Sequence, residues 1–331
     1  MIHTRAFARA ALVGNPSDGY YGRTLSFVVR NFSARVTLYE SPRIRILPQA
    51  SDRLEFADVS DLLQDVERHG YYGGVRLIKA AIKKLHGHQH AQGKSLPARN
   101  FTIEYDSDIP VRVGLAGSSA IVTATLRALL EFYEVAVEKP VLPNLILSVE
   151  RDELGIGAGL QDRVAQVYEG AVFMDFARER MEKDGHGLYE TVEPAKLPPL
   201  FVAYHDRLAE GTEVTHNDLR SRWQRGEPAV HEAMLRWAEL AQQARDLIDR
   251  GRGAEIKPLV DENFDLRARL IRISDGNRRL VETGRRLGAA VNFAGSGGAV
   301  TGTWDGDPER LLALEQSYAL LGARLIRPVI A

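Results

Sequence analysis

The chain of 331 residues is 44% hydrophobic, enough for two packed cores or one large one. Its formal net charge of −1 supplies no strong positive field for nucleic acid or an anionic membrane surface, which leaves small molecules as the expected partners. It contains no cysteine, so disulfide scaffolds, thiolate metal sites and cysteine nucleophiles are excluded.

Met1–Arg9 lacks the apolar core of a signal peptide, and no apolar stretch approaches the roughly 20 residues that span a bilayer. A cytoplasmic protein with no membrane partner is expected. Arg5–Val13 reads as a strand ending in the turn Gly14-Asn-Pro-Ser-Asp-Gly19, which is dense in turn-forming residues. Further extended segments are predicted at Thr24–Val29, Ala34–Tyr39, Ile44–Leu47 and Phe101–Tyr105, with a helix at Gly74–Leu85 and an exposed loop at His86–Gly93. His86, His88 and His90 suggest a metal at first sight, but their spacing in a polar, glycine-bearing segment fits solvated side chains better. Tyr71 and Tyr72 supply either an adenine-pocket wall or a core pair.

Ile109-Pro-Val-Arg-Val-Gly-Leu-Ala-Gly-Ser-Ser-Ala120 reads as an anion cradle. Gly114 and Gly117 let the backbone bend so that N–H groups converge, Ser118 and Ser119 add hydroxyls, and the following helix contributes the positive end of its dipole. The same residue types also build plain loop-to-helix joints. Behind the cradle, Ile121, Ala124, Thr125, Ala128, Leu129 and Phe132 repeat at helical spacing, while Val122, Leu126, Leu130 and Tyr133 make the opposite face apolar. A helix buried on most sides follows.

A second helix is predicted over Asn144–Leu154, ending in Gly155-Ile-Gly-Ala-Gly159, and a third begins near Leu160. Asp162 in that third helix is either a first-turn acid of capping type or a functional carboxylate. Strand Ala171–Phe176 closes the N-terminal half. The charged stretch Ala177–Pro199 marks a junction or excursion. Helices are predicted at Pro228–Arg250 and Ile256–Ile273. They are followed by helix Asn277–Leu287, strand Ala289–Phe293, the turn Gly295-Ser-Gly-Gly298, strand Ala299–Trp304, helix Pro308–Leu321 and strand Arg324–Val329. That order is expected of a split βαβ sandwich. No internal repeat is visible.

The three glycine-bearing segments resemble the three signatures of the GHMP small-molecule kinases. Ala8-Arg-Ala-Ala-Leu-Val-Gly-Asn-Pro-Ser-Asp18 is similar to the N-terminal strand and turn, and Pro110–Ala120 resembles the phosphate loop. The loop carries one more residue between Leu115 and the serine pair than the commonest spelling. Asn292-Phe-Ala-Gly-Ser-Gly-Gly-Ala299 matches the C-terminal glycine-rich turn. Leu12–Thr24, Gly114–Val122 and Ala158–Tyr168 look like the glucuronokinase branch.

The resemblance implies an α+β, two-domain GHMP kinase fold. Its N-terminal mixed sheet with helices would occupy residues 1–180, and a ferredoxin-like α/β sandwich residues 181–331. It implies phosphorylation of the anomeric hydroxyl of D-glucuronate by ATP with Mg²⁺. Another acceptor (galacturonate, a neutral aldose or a non-sugar alcohol), or a non-catalytic sugar- or nucleotide-binding regulator, stays open. Asp162 matches the family acid facing the acceptor hydroxyl, and Arg9 the basic residue on the first strand, whose work is electrostatic because a guanidinium cannot act as a base at neutral pH. Gly114, Leu115, Ala116, Gly117, Ser118, Ser119 and Ala120 would hold ATP phosphates. Ser119, or its neighbour Ser118, would hold the metal with Glu150, for which Glu153 is the competitor.

Asp18 matches a carboxylate that binds sugar hydroxyls, with Tyr20, Gln161, Gly295, Ser296 and Gly297 beside the substrate. Arg23, Arg112 and Arg163 are the candidates for a substrate carboxylate, Arg23 and Arg163 foremost.

Overall fold

Small and β-branched residues from Ala6 to Val13 are buried on both faces of the first strand, β1 (Ile2–Val13), because it lies at the centre of the molecule. The computed structural model describes residues 1–49, 52, 56–69, 73–208 and 212–330, of which 65–69 and 212–217 are described by their backbone only. β1 pairs antiparallel with β2 (Arg23–Glu40). The two expected strands at 24–29 and 34–39 are thus one, since β1 bridges them along its length. A register shift between Phe7 and Ala8 accommodates residues 30–32 as a bulge.

β3 (Arg45–Leu47), α1 (Val59–His69), α2 (Gly74–Ala91) and β4 (Phe101–Ser107) come next. α2 runs through His86–His90, where an exposed loop was expected. Leu85 and Gln89 are buried on one face of those turns, and this packing overrides the glycine and the polar composition. α3 (Gly117–Phe132) is buried on most sides as its pattern predicts, and it packs on β1, β2 and α2.

α4 (Leu142–Ser148) continues into a π-helical turn at Val149–Glu153, and α5 (Gln161–Tyr168) leads to β5 (Ala171–Asp175). The stretch expected as an excursion holds α6 (Arg178–Asp184) and β6 (Leu188–Val192), which pairs with β5 at the sheet edge. The first sheet runs β3, β4, β2, β5, β6, with β1 also on β2. The chain therefore leaves it between Val192 and β7 (Leu200–Tyr204), later than the division after residue 180. Only Val192 of β6 is buried, so this edge strand has no alternating apolar signal.

After β7 come α7 (Thr212–Gln224), α8 (Pro228–Asp249), α9 (Lys257–Leu270) and α10 (Asp275–Arg286). The hairpin β8 (Ala290–Phe293) and β9 (Ala299–Thr303), α11 (Pro308–Leu320) and β10 (Arg324–Ile326) complete the chain. The second sheet is antiparallel in the order β10, β7, β9, β8, the ferredoxin-like arrangement. Phe201 and Ala203 join an outer core with Leu280, Val281, Leu314 and Tyr318. Leu200, Val202 and Tyr204 point the other way into the main core, which also holds Trp237 of α8 and the residues of β1. The period-2 alternation of β7 thereby ties both halves into one interior.

Candidate active site

Among the described residues β1 pairs with β2 alone, and its other edge carries the site. Arg9 N donates to Leu115 O at 3.1 Å and Ala11 N donates to Ala294 O at 2.8 Å, so the cradle and the β8–β9 turn both hang on the same strand edge. They also touch each other. A Cβ on Gly114 would lie 3.0 Å from both Gly297 O and Ser296 N, and one on Gly295 would overlap Gly114 O. Gly114 has φ 76°, a conformation glycine adopts without cost.

Ala116, at the N-cap of α3, is also left-handed, with φ 62°. Such a conformation is strained for a side-chain-bearing residue, and Gln166 Nε2 holds it by donating to Ala116 O at 2.9 Å. No side chain caps α3. The N–H groups of its first turn therefore lack intrahelical acceptors and, with the helix dipole, form an anion seat. Ser118 is exposed at this seat. Ser119 is wholly buried and its Oγ donates to Ala116 O at 3.1 Å.

Asp162, in the first turn of α5, faces the cradle. Its carboxylate is ion-paired with Arg9 Nη2 at 2.5 Å and with Arg163 Nη1 at 3.3 Å, and its side chain keeps 20% exposure. Arg9 also donates to Ala294 O and, at 3.5 Å, to Gly114 O, so one buried guanidinium joins the acid, the cradle and the third turn.

Glu150 is 0% exposed and is presented by the π-helical turn, which ends where Ile156 N donates to Glu150 O at 2.8 Å. Its Oε1 accepts from Ser118 Oγ at 2.7 Å, and its Oε2 is gripped by Arg163 Nη2 and by Nε at 3.1 Å. Arg163 donates in addition to Gly159 O at 2.9 Å. Burial works against the Arg163 charge, but the carboxylates of Glu150 and Asp162 outweigh it and raise its pKa.

Of the two serines considered as partners of Glu150, the structure brings one to its carboxylate. The hydroxyl beside Glu150 belongs to Ser118, because a one-residue step in the first helical turn rotates the side chain by about 100°. Glu153 is turned away and pairs with Lys83.

Asp18, expected to bind the acceptor, lies in a 3-10 turn, Ser17–Tyr20. Its Oδ2 accepts from Gln161 N at 3.2 Å, and a Cβ on Gly159 would overlap it. Desolvation and the nearby Asp162 charge push its carboxyl up to about 6 against the opposing pull of the Gln161 N–H, Arg9 and Arg163. The Gln161 side chain does not face the substrate end, because its Oε1 accepts from Ser26 Oγ at 2.9 Å in the interior. Tyr20 is buried edge-on against Trp223 of α7, ring centroids 5.6 Å apart.

Both favoured arginines are ion-paired within the chain. Arg23 Nε is paired with Asp175 Oδ2 at 2.8 Å across β2 and β5, and Arg163 is 3% exposed between Glu150 and Asp162. Arg112, with φ 62°, is exposed at the start of the cradle. His86 and His90 stack on the surface of α2, centroids 6.4 Å apart. Among the described residues no group of three potential metal ligands occurs. Tyr71 and Tyr72 lie outside the described residues.

Three contacts about the third turn escaped sequence reasoning. Arg267 Nη1 donates to Gly295 O at 2.7 Å, Gly298 N donates to Asn277 Oδ1 at 2.8 Å, and Asn277 Nδ2 donates to Leu208 O at 3.3 Å. Only the burial of Asn277 and Arg267 on otherwise apolar helix faces hints at them.

An anion seat, a partly exposed acid held by two arginines, and a hydroxyl–carboxylate pair joined to them through Arg163 suit a small-molecule phosphotransferase. Residues 76–170 match the family described as GHMP kinases N terminal domain. The chain is 41% identical to "Probable glucuronokinase 2" of Arabidopsis thaliana over 98% of this chain and 90% of that one. It is 40% identical to "Glucuronokinase 1" of the same plant, over 98% and 91%. Its fold is similar to that of the Streptococcus pneumoniae phosphomevalonate kinase solved with phosphomevalonate and AMPPNP, with a TM-score of 0.76, 18% identity and complete coverage of both chains. The chain belongs to the GHMP kinase family. It is a kinase that phosphorylates an alcohol group.

Proposed function

We propose that this chain transfers the terminal phosphoryl group of ATP to the anomeric hydroxyl of D-glucuronate, giving the 1-phosphate and ADP. The full-length identity of about 40% to two proteins named glucuronokinase supports the acceptor. The single structural observation that carries the chemistry is the Asp162 carboxylate, partly exposed and held between Arg9 and Arg163 opposite the uncapped start of α3.

Phosphoryl transfer asks mainly for positioning and charge neutralisation. The first-turn N–H groups of α3 and the Ser118 hydroxyl receive the phosphates. Asp162 orients the acceptor hydroxyl and takes its proton. Arg9 holds the acid in place and offsets charge as it grows on the transferring group. Asp18 accepts hydrogen bonds from acceptor hydroxyls. Arg163 acts through its neighbours, since its one guanidinium fixes both Glu150 and Asp162.

The hydroxyl and carboxylate oxygens of Ser118 and Glu150, 2.7 Å apart, are hard donors that suit Mg²⁺, which takes few protein ligands and fills its shell with phosphate and water. These two residues would hold the ion, which when bound supplies neutralisation of phosphate charge. Arg163 occupies the other carboxylate oxygen of Glu150 and so leaves Oε1 as the available donor.

The test is ADP release over a panel of D-glucuronate, D-galacturonate, D-galactose, D-glucose and mevalonate. The expected result is a kcat/KM for D-glucuronate at least about tenfold above the rest, the scale on which a site discriminates by a charged contact. Turnover of another acceptor with none of D-glucuronate overturns the assignment.

A further inference from the structure

D-Glucuronate differs from neutral aldoses by one carboxylate, and a kinase selective for it needs a cation that is not already paired. Arg163 is buried between two protein carboxylates, and Arg23 is ion-paired through Nε with Asp175. The helix packed against Tyr20, α7, offers a different group. Trp223 lies edge-on to Tyr20 and, with centroids 6.4 Å apart, also meets Tyr21. Its far face stacks on His231, at 5.3 Å and an interplanar angle of 8°. This aromatic wall fixes the height and rotation of the helix over the Ser17–Tyr20 turn that carries Asp18.

Arg220 sits three residues before Trp223 and hence on the same face of the helix. Leu219 beside it is buried, whereas Arg220 is exposed. Among the described residues Arg220 makes no ion pair or hydrogen bond, unlike its neighbour Arg222, which is tied to Glu227 and to Leu270 O. We propose that Arg220 is the specificity-determining residue for the acceptor, binding the C6 carboxylate while Asp18 binds ring hydroxyls.

The electrostatics agree with that placement. Burial chiefly raises Tyr20 to about 12, Arg220 opposes that shift, and Asp18 and Asp218 add to it. A sugar ring lying between Arg220 and Asp18 would present its carboxylate to one and hydroxyls to the other. Because Arg220 is exposed while Asp162 and Arg9 lie deeper in the cleft, it acts on binding and leaves the transfer step to the inner residues.

The assignment rests on D-glucuronate being the acceptor, and the experiment separates the two. Steady-state kinetics of wild type, R220K and R220Q are measured with D-glucuronate at low and high salt, alongside quenching of tryptophan fluorescence by D-glucuronate and by D-glucose. In R220Q the KM for D-glucuronate is expected to rise about 10- to 100-fold, the loss of one charge-assisted contact, with kcat changed far less. R220K recovers part of the affinity, and added salt raises the wild-type KM more than that of R220Q. An unchanged KM in R220Q sinks the Arg220 assignment alone. So does a loss of kcat with KM unaltered in both variants. A wild type that does not turn over D-glucuronate overturns both the acceptor and Arg220.

Discussion

Asp18, proposed to bind the acceptor, carries a stability cost. Its carboxyl is pushed up to about 6 in the folded chain from an ordinary 3.8, chiefly because burial disfavours its charge. Between those values the folded state holds a proton that the unfolded state has lost, so this group lowers stability as pH rises from about 4 to about 6. Above that range the cost is constant, and below it the cost disappears. Asp18→Asn is therefore expected to melt higher than wild type at pH 7.5, with the difference closing as the pH is brought down to 4, while its KM for the acceptor rises. Equal melting temperatures at pH 7.5 would show that the carboxyl pays no desolvation penalty. The serine pair separates similarly. Ser118→Ala is expected to raise the Mg²⁺ concentration needed for half-maximal activity, whereas Ser119→Ala, which removes a bond to Ala116 O, acts on thermal stability. Magnesium titrations of both variants check this. The motifs that carry Asp162, Arg9 and Glu150 were legible along the chain, and the three residues do lie together about Arg163. Which serine faces Glu150 was not, since it turns on helix phase at the first residue. Nor was the inward bend of Arg163, which depends on a buried partner 13 residues away.

Elements with an internal period declared themselves, and those held by partners did not. The apolar pattern of α3 and the hairpin about Gly295–Gly298 follow from local chemistry. The π-helical turn at Val149–Glu153 has no local signature, although such turns cluster at functional sites. It presents Glu150 to the cradle. The last turns of α2 and the edge strand β6 depend on what packs or pairs with them. At this scale the critical contact is glycine on glycine. Gly295→Ala forces a methyl onto Gly114 O. Separation of the third turn from the cradle is expected to cost about 1 to 3 kcal/mol, as overpacking does, and to raise the KM for ATP. Thermal melting and ATP titration of this variant give the check, and wild-type values for both would mean that the two turns need not touch.

Three buried asparagines join the halves of the molecule. Asn263 of α9 accepts from Gly14 N at 2.7 Å and donates to Asn15 O at 2.9 Å, while Asn292 of β8 donates to Asn15 Oδ1 at 2.9 Å and to Leu12 O at 3.2 Å. The end of β1 is thus pinned by groups nearly 250 or more residues away in sequence. Replacing Asn263 by alanine strands a buried N–H and a buried carbonyl, which should cost about 3 kcal/mol in a denaturant titration. A loss within error of zero would place water or another group there. The three motifs were each readable alone, but their meeting on one edge of β1 was not, because only tertiary pairing brings residues 9, 115 and 294 together. That meeting brings Arg9, and with it Asp162, to the cradle, and the most direct measurement is the turnover of Asp162→Asn on D-glucuronate at saturating ATP and Mg²⁺. The expected result is a kcat at least about a hundredfold below wild type, the usual scale for loss of a general base, with KM for both substrates little changed. A folded variant that keeps wild-type turnover would contradict the central role of this acid.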